Sequence, residues 1–191
     1  MNVSFPLSRL VLGAALLAAA QAALAQQQLV PAQSEVQFTA RQMGVPLEGH
    51  FKKFSAQVAF DPAKLSTSKI AFTVDTGSAT LGSRETDAEL PKPVWFNVPK
   101  FPQAQFESTS IKALGGGKFE VAGKLTIKGT AQNVTVPVAL AQSGATTTAT
   151  GTLPLKRLAF KIGENEWADT SMVADEVTVK FKLALVGVGK L

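Results

Sequence analysis

His50 is the single histidine of this chain. A Ser-His-Asp triad or a histidine-based metal site would require it. It stands between Gly49 and Phe51 near the start of a strand-like run, a setting that fits a surface turn better than a catalytic centre. The serines of Gly77-Ser78 and Gly82-Ser83 lack the strand-G-x-S-x-G-helix context of a hydrolase elbow. Glu85, Asp87 and Glu89 form one acidic group; Glu164, Glu166 and Asp169, with Asp175 and Glu176 nearby, form another. Neither matches the oxygen-ligand spacing of a calcium loop, and both read as solvated acidic surface. Gly115-Gly116-Gly117 is not followed by the lysine and helix of a phosphate loop and reads as a hairpin turn.

Two arginines stand apart from these groups. Arg84 and Arg157 could sit at the mouth of a cavity and pair with an anionic head group such as pyrophosphate. An ordinary ion pair with a neighbouring carboxylate is the plainer reading of each. Cysteine is absent, which excludes thiol catalysis, thiolate metal centres and c-type haem attachment. The expectation is a protein that is not an enzyme and carries no metal or cofactor of its own.

The elements that must position these residues are strands. The chain opens with an export signal: Arg9 supplies a positive n-region, Leu10 to Ala20 is a short apolar core, and Ala23-Leu24-Ala25 is an A-x-A cleavage site. Cleavage after Ala25 through the Sec route places the protein in the periplasm, with a chain starting at Gln26. That apolar run is too short for a permanent membrane helix. No twin-arginine pair or lipobox cysteine accompanies it. The formal charge of +5 falls to about +4 without Arg9. Basic residues are scattered rather than striped, so nucleic acid is not an expected partner.

After the signal, apolar and polar residues alternate. Val36, Phe38 and Ala40 mark one strand, followed by a loop with Gly44 and Pro46. Ala56, Val58 and Phe60 mark a second strand, and Ile70, Phe72 and Val74 a third. Residues 75–103 break the pattern. Thr86 to Leu90 predicts a short helix capped by Thr86, and Trp95-Phe96 and Phe101-Pro102 follow as an aromatic segment that serves as a plug or lid. Strands resume around Phe106, then Phe119 to Ile127 with a bend at Gly123. Val134 to Leu140 follows, where Pro137 favours an edge or bulge. Residues 143–152 read as a weak or edge strand. Val177 to Leu185 is the clearest strand of all.

About eight strands joined mostly by turns predict an all-β chain closed into one antiparallel barrel, residues 26–191, with a short helix in segment 86–102. The apolar face could point inward or toward a bilayer. Tyrosine is absent, so interfacial girdles are poorly supplied. Lys118, Lys124, Lys128, Lys180 and Lys182 would lack carboxylate partners in a narrow lumen, whereas facing water they need none. The apolar face therefore points inward. Its candidates are Phe38, Phe60, Phe72 and Phe106 in the first half of the chain, and Phe119, Leu125, Phe160 and Phe181 in the second. Trp95 and Trp167 join them from the two irregular segments. Either these side chains fill a core, or they line a tunnel for an apolar ligand.

The ordered landmarks resemble a known family. They run from Ser34-Glu35-Val36-Gln37-Phe38 through Gly49-His50-Phe51-Lys52-Lys53-Phe54 and Phe60-Asp61-Pro62. Next come Asp87-Ala88-Glu89-Leu90, Trp95-Phe96 and the stretch Phe101 to Ser108. Val121 to Gly129, Arg157 to Gly163 and Val173 to Leu185 complete the series. In order and spacing the chain is similar to the YceI-like, polyisoprenoid-binding periplasmic proteins. The resemblance implies an extended, lipocalin-like barrel with a hydrophobic tunnel for an isoprenoid lipid such as a quinone or a polyprenyl phosphate. Arg84-Glu85-Thr86-Asp87 and Trp95-Phe96 stand where many relatives carry an Arg-Asp and a Phe-Phe pair. The early Gly-x-Trp of lipocalins is missing.

The function expected on this basis is non-catalytic carriage of a long-chain isoprenoid or similar amphiphile. One alternative is an accessory role for a membrane redox partner of the cytochrome b561 type. Others are an enzyme using Arg84, Glu85 or Asp87 on a barrel-bound lipid, and a filled-core stress protein. The threonine-rich edge at 145–152 would also permit a homodimer.

Overall fold

The computed structural model describes residues 27–191. The expected export signal lies outside the described residues. The strands are β1 (Gln28–Leu29), β2 (Glu35–Gln42), β3 (Val45–Phe51), β4 (Phe54–Ala59), β5 (Lys69–Asp75) and β6 (Ala79–Thr80). A short helix, α1 (Arg84–Glu89), follows. Then come β7 (Gln103–Gly115), β8 (Lys118–Ile127), β9 (Thr130–Ser143), β10 (Thr146–Lys156) and β11 (Glu176–Val186).

Period-two alternation gives each strand one apolar face, and antiparallel pairing in the order β4-β5-β7-β8-β9-β10-β11-β2-β3-β6 collects those faces on one side. The two ends of this ladder meet. β3 and β4 are one strand bent at Lys52-Lys53, and β5 and β6 are one strand interrupted by the turn Thr76–Ser78. They pair along both halves, Phe54 opposite Val74 and Phe51 opposite Ala79. Ser78 sits at the bend, where its carbonyl accepts from Lys52 N–H at 3.1 Å and its hydroxyl from Lys53 N–H at 3.0 Å. With β11 paired to β2, Val179 opposite Phe38, the sheet is an eight-row barrel around an apolar interior.

One end of the barrel is packed shut. Phe60, Ile111, Phe119 and Val121 form a buried cluster there, with Phe60 and Phe119 edge to face at 5.3 Å. The C-terminal tail folds back so that Val188 packs on this cluster, and Gln142 Nε2 donates to the Val188 and Gly189 carbonyls. At the start of the described residues Gln27 stitches the same end, its Nε2 donating to Phe60 O at 2.6 Å and its Oε1 accepting from Phe60 N–H at 2.9 Å. The other end holds the tip of the β2–β3 hairpin, α1, the segment after it, and residues 157–175.

Several expectations change. The predicted loop at Gly44-Pro46 is instead a two-residue hairpin turn, Met43-Gly44, both with positive φ (50° and 81°), and Pro46 is already in β3. His50 therefore lies within β3, exposed, opposite Gln37 and Thr80. The helix starts at Arg84, one turn earlier in effect than a Thr86 cap would give. Thr86 sits inside the first turn and donates to Ser83 O at 3.0 Å.

Residues 145–152 are not an edge. β10 pairs with β11 along its whole length and with β9 from Thr146 to Gly151, and Thr147 is fully buried. That pairing removes the exposed edge on which a homodimer was inferred. Pro137 does sit at an edge, because β9 loses β10 as a partner just before Val138, and Pro154 marks the matching stretch of β10.

Candidate functional site

Within the barrel lies a cavity of about 400 Å³. All ten expected interior residues line it: Phe38, Phe60, Phe72, Phe106, Phe119, Leu125, Phe160, Phe181, Trp95 and Trp167. They are not equivalent. Phe60 and Phe119 are buried at the packed end and Phe160 at the other, whereas Phe38, Phe72, Phe106 and Phe181 are only half-buried although their strands point them inward. An inward ring with open surface borders empty space. The barrel is thus filled toward its ends and hollow through its middle.

Glycine notches keep the middle hollow. A Cβ on Gly49 would collide with the Phe38 ring, one on Gly123 with Phe106 and one on Gly151 with Phe181. The tip of each ring reaches over a neighbouring strand at the one residue without a side chain. Seated on the wall in this way, the rings line the lumen without filling it. The bend inferred at Gly123 is real, but the extra residue lies opposite, at Thr109 in β7, where the register shifts between Ser108 and Ser110.

At the open end an aromatic relay joins wall to cover. Phe38 and Phe51 lie 5.2 Å apart, and Phe51 meets Phe96 edge-on at 6.1 Å. Trp95 and Trp167 pack at 5.4 Å with a 44° tilt. Trp95 Nε1 is buried without a hydrogen-bond partner among the described residues. Phe51, Phe96, Leu47 and Gln42 line the cavity and escaped the sequence reading. The signal for Phe51 was present in the alternation of Leu47, Gly49 and Phe51, hidden by the assumption of a loop there. The acidic helix also touches the mouth. Thr86 and Glu89 are on the lining, with Glu89 held to Lys92 at 2.5 Å.

The arginines separate sharply. Arg84 is exposed and is not on the lining. Arg157 is on the lining and is only 3% exposed, but its five N–H groups are spent on backbone carbonyls. Nε donates to Ala174 O at 3.0 Å. Nη1 donates to Ile162 O and Gly163 O at 2.9 and 3.1 Å, and Nη2 to Trp167 O and Val173 O at 2.6 Å each. It is the hub that folds residues 162–174 over the barrel end, with no donor left for a head group. Burial lowers its pKa, and Asp175 opposes that shift.

Lys128 was expected to face water. It is 7% exposed, and its Nζ donates to Lys161 O at 2.6 Å and to Glu164 Oε2 at 2.8 Å. The hydrogen bond from Lys128 holds the Glu164 carboxyl below its usual pKa. Lys118, Lys124, Lys180 and Lys182 are exposed as expected.

Asp87 pins the helix to β6. It accepts from Thr80 Oγ1 at 2.5 Å and from Leu81 N–H at 2.6 Å, which lowers its pKa. No group of three or more metal-ligating side chains occurs among the described residues.

The topology and the apolar hollow within it describe the fold, and the sequence match supplies the family. Residues 27–185 match the YceI-like domain. The chain belongs to the YceI-like family. A UPF0312 protein of Azotobacter vinelandii is 34% identical over 139 residues, 71% of this chain and 70% of that protein. Among solved structures, Burkholderia cenocepacia BcnA superposes with a TM-score of 0.79 at 51% identity, covering 82% of this chain and 98% of BcnA. A polyisoprenoid binding domain from Saccharophagus degradans shares the fold, with a TM-score of 0.69 at 13% identity, covering 84% of this chain and 98% of that domain. This YceI-like chain is mostly β, a curled antiparallel sheet with one short helix.

Proposed function

We propose that this YceI-like protein is a periplasmic, non-catalytic carrier that holds the chain of an isoprenoid lipid in its barrel. The observation that carries the proposal is the hollow middle: an apolar cavity kept open by three glycine notches rather than filled by its phenylalanines. A void of this kind is unfavourable unless something occupies it. The polyisoprenoid-binding domain of S. degradans, which has the same fold, supports the ligand class. Burial of the ligand contributes about 0.8 kcal/mol per CH₂, so a few isoprene units offset the cost of association. The amino-terminal signal supports the compartment.

The head group is uncharged, as in a quinone or a polyprenol. The one cation on the lining, Arg157, gives all five N–H groups to carbonyls, and the buried Lys128, off the lining, is already paired with Glu164 and bonded to Lys161 O. The remaining polar lining at the open end, Gln42 and Thr86, is neutral, and Glu89 there is an anion. A diphosphate drawn inside would be desolvated without a counter-charge.

Lipid extraction of the natively exported protein followed by mass spectrometry tests the reading. A neutral isoprenoid should be recovered, and a ubiquinone-type quinone should raise the Tm of delipidated protein while a prenyl diphosphate of equal chain length raises it less. Recovery of no lipid, together with a Tm unmoved by either compound, would overturn the carrier. Equal stabilisation by both compounds would overturn only the head-group assignment.

A further inference from the structure

Five large apolar side chains stand exposed among the described residues: Met43, Val45, Leu114, Met172 and Leu191. Leu114 and Leu191 lie at the packed end and the C-terminus. The other three meet at the open end. Met43 is 76% exposed at the apex of the β2–β3 turn and Val45 is 61% exposed beside it. Met172 is held against them, since Met43 N–H donates to its carbonyl at 2.7 Å. The residues flanking this patch line the cavity. Gln42 precedes Met43, Val173 follows Met172, and the two form a β-bridge. The exposed tip therefore adjoins the lumen wall directly, through the apolar Val173 on one strand of the bridge and the neutral Gln42 on the other.

We infer that this tip inserts into a lipid bilayer and passes the isoprenoid chain between membrane and barrel. The inference rests on the carrier reading. Shape and area favour a bilayer over a second protein. The tip is convex, and a Cβ on Gly44 would meet nothing within 4 Å. Three side chains of this size cover roughly 300 Å², well short of the ~800 Å² per partner that a stable protein complex needs. A bilayer sets no such minimum and has no shape to match. Methionine is unbranched and adaptable, which suits a disordered acyl environment. Arg41 adds a cation at the tip: it is exposed and its Nη1 donates to Gly44 O at 3.3 Å, and its long apolar stem lets the charge swing back to lipid phosphates when the apex enters the acyl region. Of the anions at this end, Asp169 on the Met172 loop turns its carboxylate onto Ser171, and Glu89 is paired with Lys92. A long isoprenoid has negligible solubility in water, so a short passage along Val173 from an inserted tip replaces a costly aqueous crossing.

The experiment uses the full exported protein with pure lipid vesicles of phosphatidylethanolamine and phosphatidylglycerol, and a long-chain quinone as cargo. The double variant Met43→Glu, Met172→Glu should bind vesicles at least tenfold more weakly. Its extraction of quinone from vesicles should slow by a similar factor. Its capacity for detergent-dispersed quinone should stay at the wild-type level. The far-end variant Leu114→Glu should match wild type in all three. Wild-type protein that ignores pure lipid vesicles would overturn the inference, and would assign the tip to a membrane protein if native membranes restore binding. Transfer equally fast in the double variant would also overturn it. Loss of detergent-dispersed capacity in the wild-type protein would instead overturn the carrier reading.

Discussion

The two ends of the barrel solve the same closure problem with different chemistry. At the packed end, apolar side chains interlock around Phe60 and Phe119, and Gln27 and the C-terminal tail are tied across them. At the open end, loops are gathered by charged side chains: Arg157 over five carbonyls, Lys128 with Glu164, and Asp87 on β6. Hydrophobic packing is non-directional and tolerates no movement without loss of contact. A hub of hydrogen bonds can hold a loop in one arrangement over an interior that is otherwise empty. One end is therefore built to stay shut, and the other to define a cover.

If that contrast holds, the largest effect comes from the hub. Arg157→Ala leaves five carbonyls without their donor. It should cost roughly 3–5 kcal/mol, read as a fall in Tm together with protease cleavage confined to residues 161–174. Next comes a pair of truncations. Phe119→Ala at the packed end should cost about 3–5 kcal/mol. Phe181→Ala, whose ring already borders open space, should cost clearly less and should leave quinone binding in place. Equal costs by denaturant titration would erase the difference between the ends.

Acid should separate the ends by a smaller margin. The folded pKa values of Asp87, Glu164 and Asp169 are all depressed, by hydrogen bonds from Thr80, Lys128 and Ser171 respectively. Their contribution is present above the ordinary carboxylate range and is lost as pH falls through the depressed values. Hydrogen exchange at decreasing pH should therefore open segments 81–90 and 161–172 before β7 and β8, and Asp87→Asn should remove the pH dependence of the first segment.

The smallest effect is expected at the orphan indole. Trp95→Phe deletes a buried N–H that has no partner among the described residues and should change stability by no more than about 1 kcal/mol, in either direction, in a thermal melt.

The walls of this barrel were legible because alternation directly encodes which residues face inward, and every interior phenylalanine named from the pattern lies on the cavity. What alternation cannot encode is emptiness. Whether Phe38 fills the lumen or lies against Gly49 depends on which strand pairs with which, and that register is a tertiary fact. Arg157 failed as a head-group contact for a related reason. Its five acceptors are carbonyls on residues up to 17 positions away, and backbone acceptors leave no mark in a sequence. Lys128 read as solvated because its partner Glu164 is 36 residues distant. Pro46 misled because a proline on an outer strand position looks like a turn when read alone.

The parting of β9 and β10 has a mechanical meaning. Past Val138 and Gly151 no ladder bonds join them, and Pro137 and Pro154, each lacking an amide hydrogen, stand along the seam. Its neighbours are the ten-residue β8–β9 ladder and the eleven-residue β10–β11 ladder. Along the seam itself the tie is a side-chain contact, Gln132 to the Ala159 carbonyl at 3.4 Å. Like the slit in a collet, it is a line along which the wall can part without breaking a ladder bond.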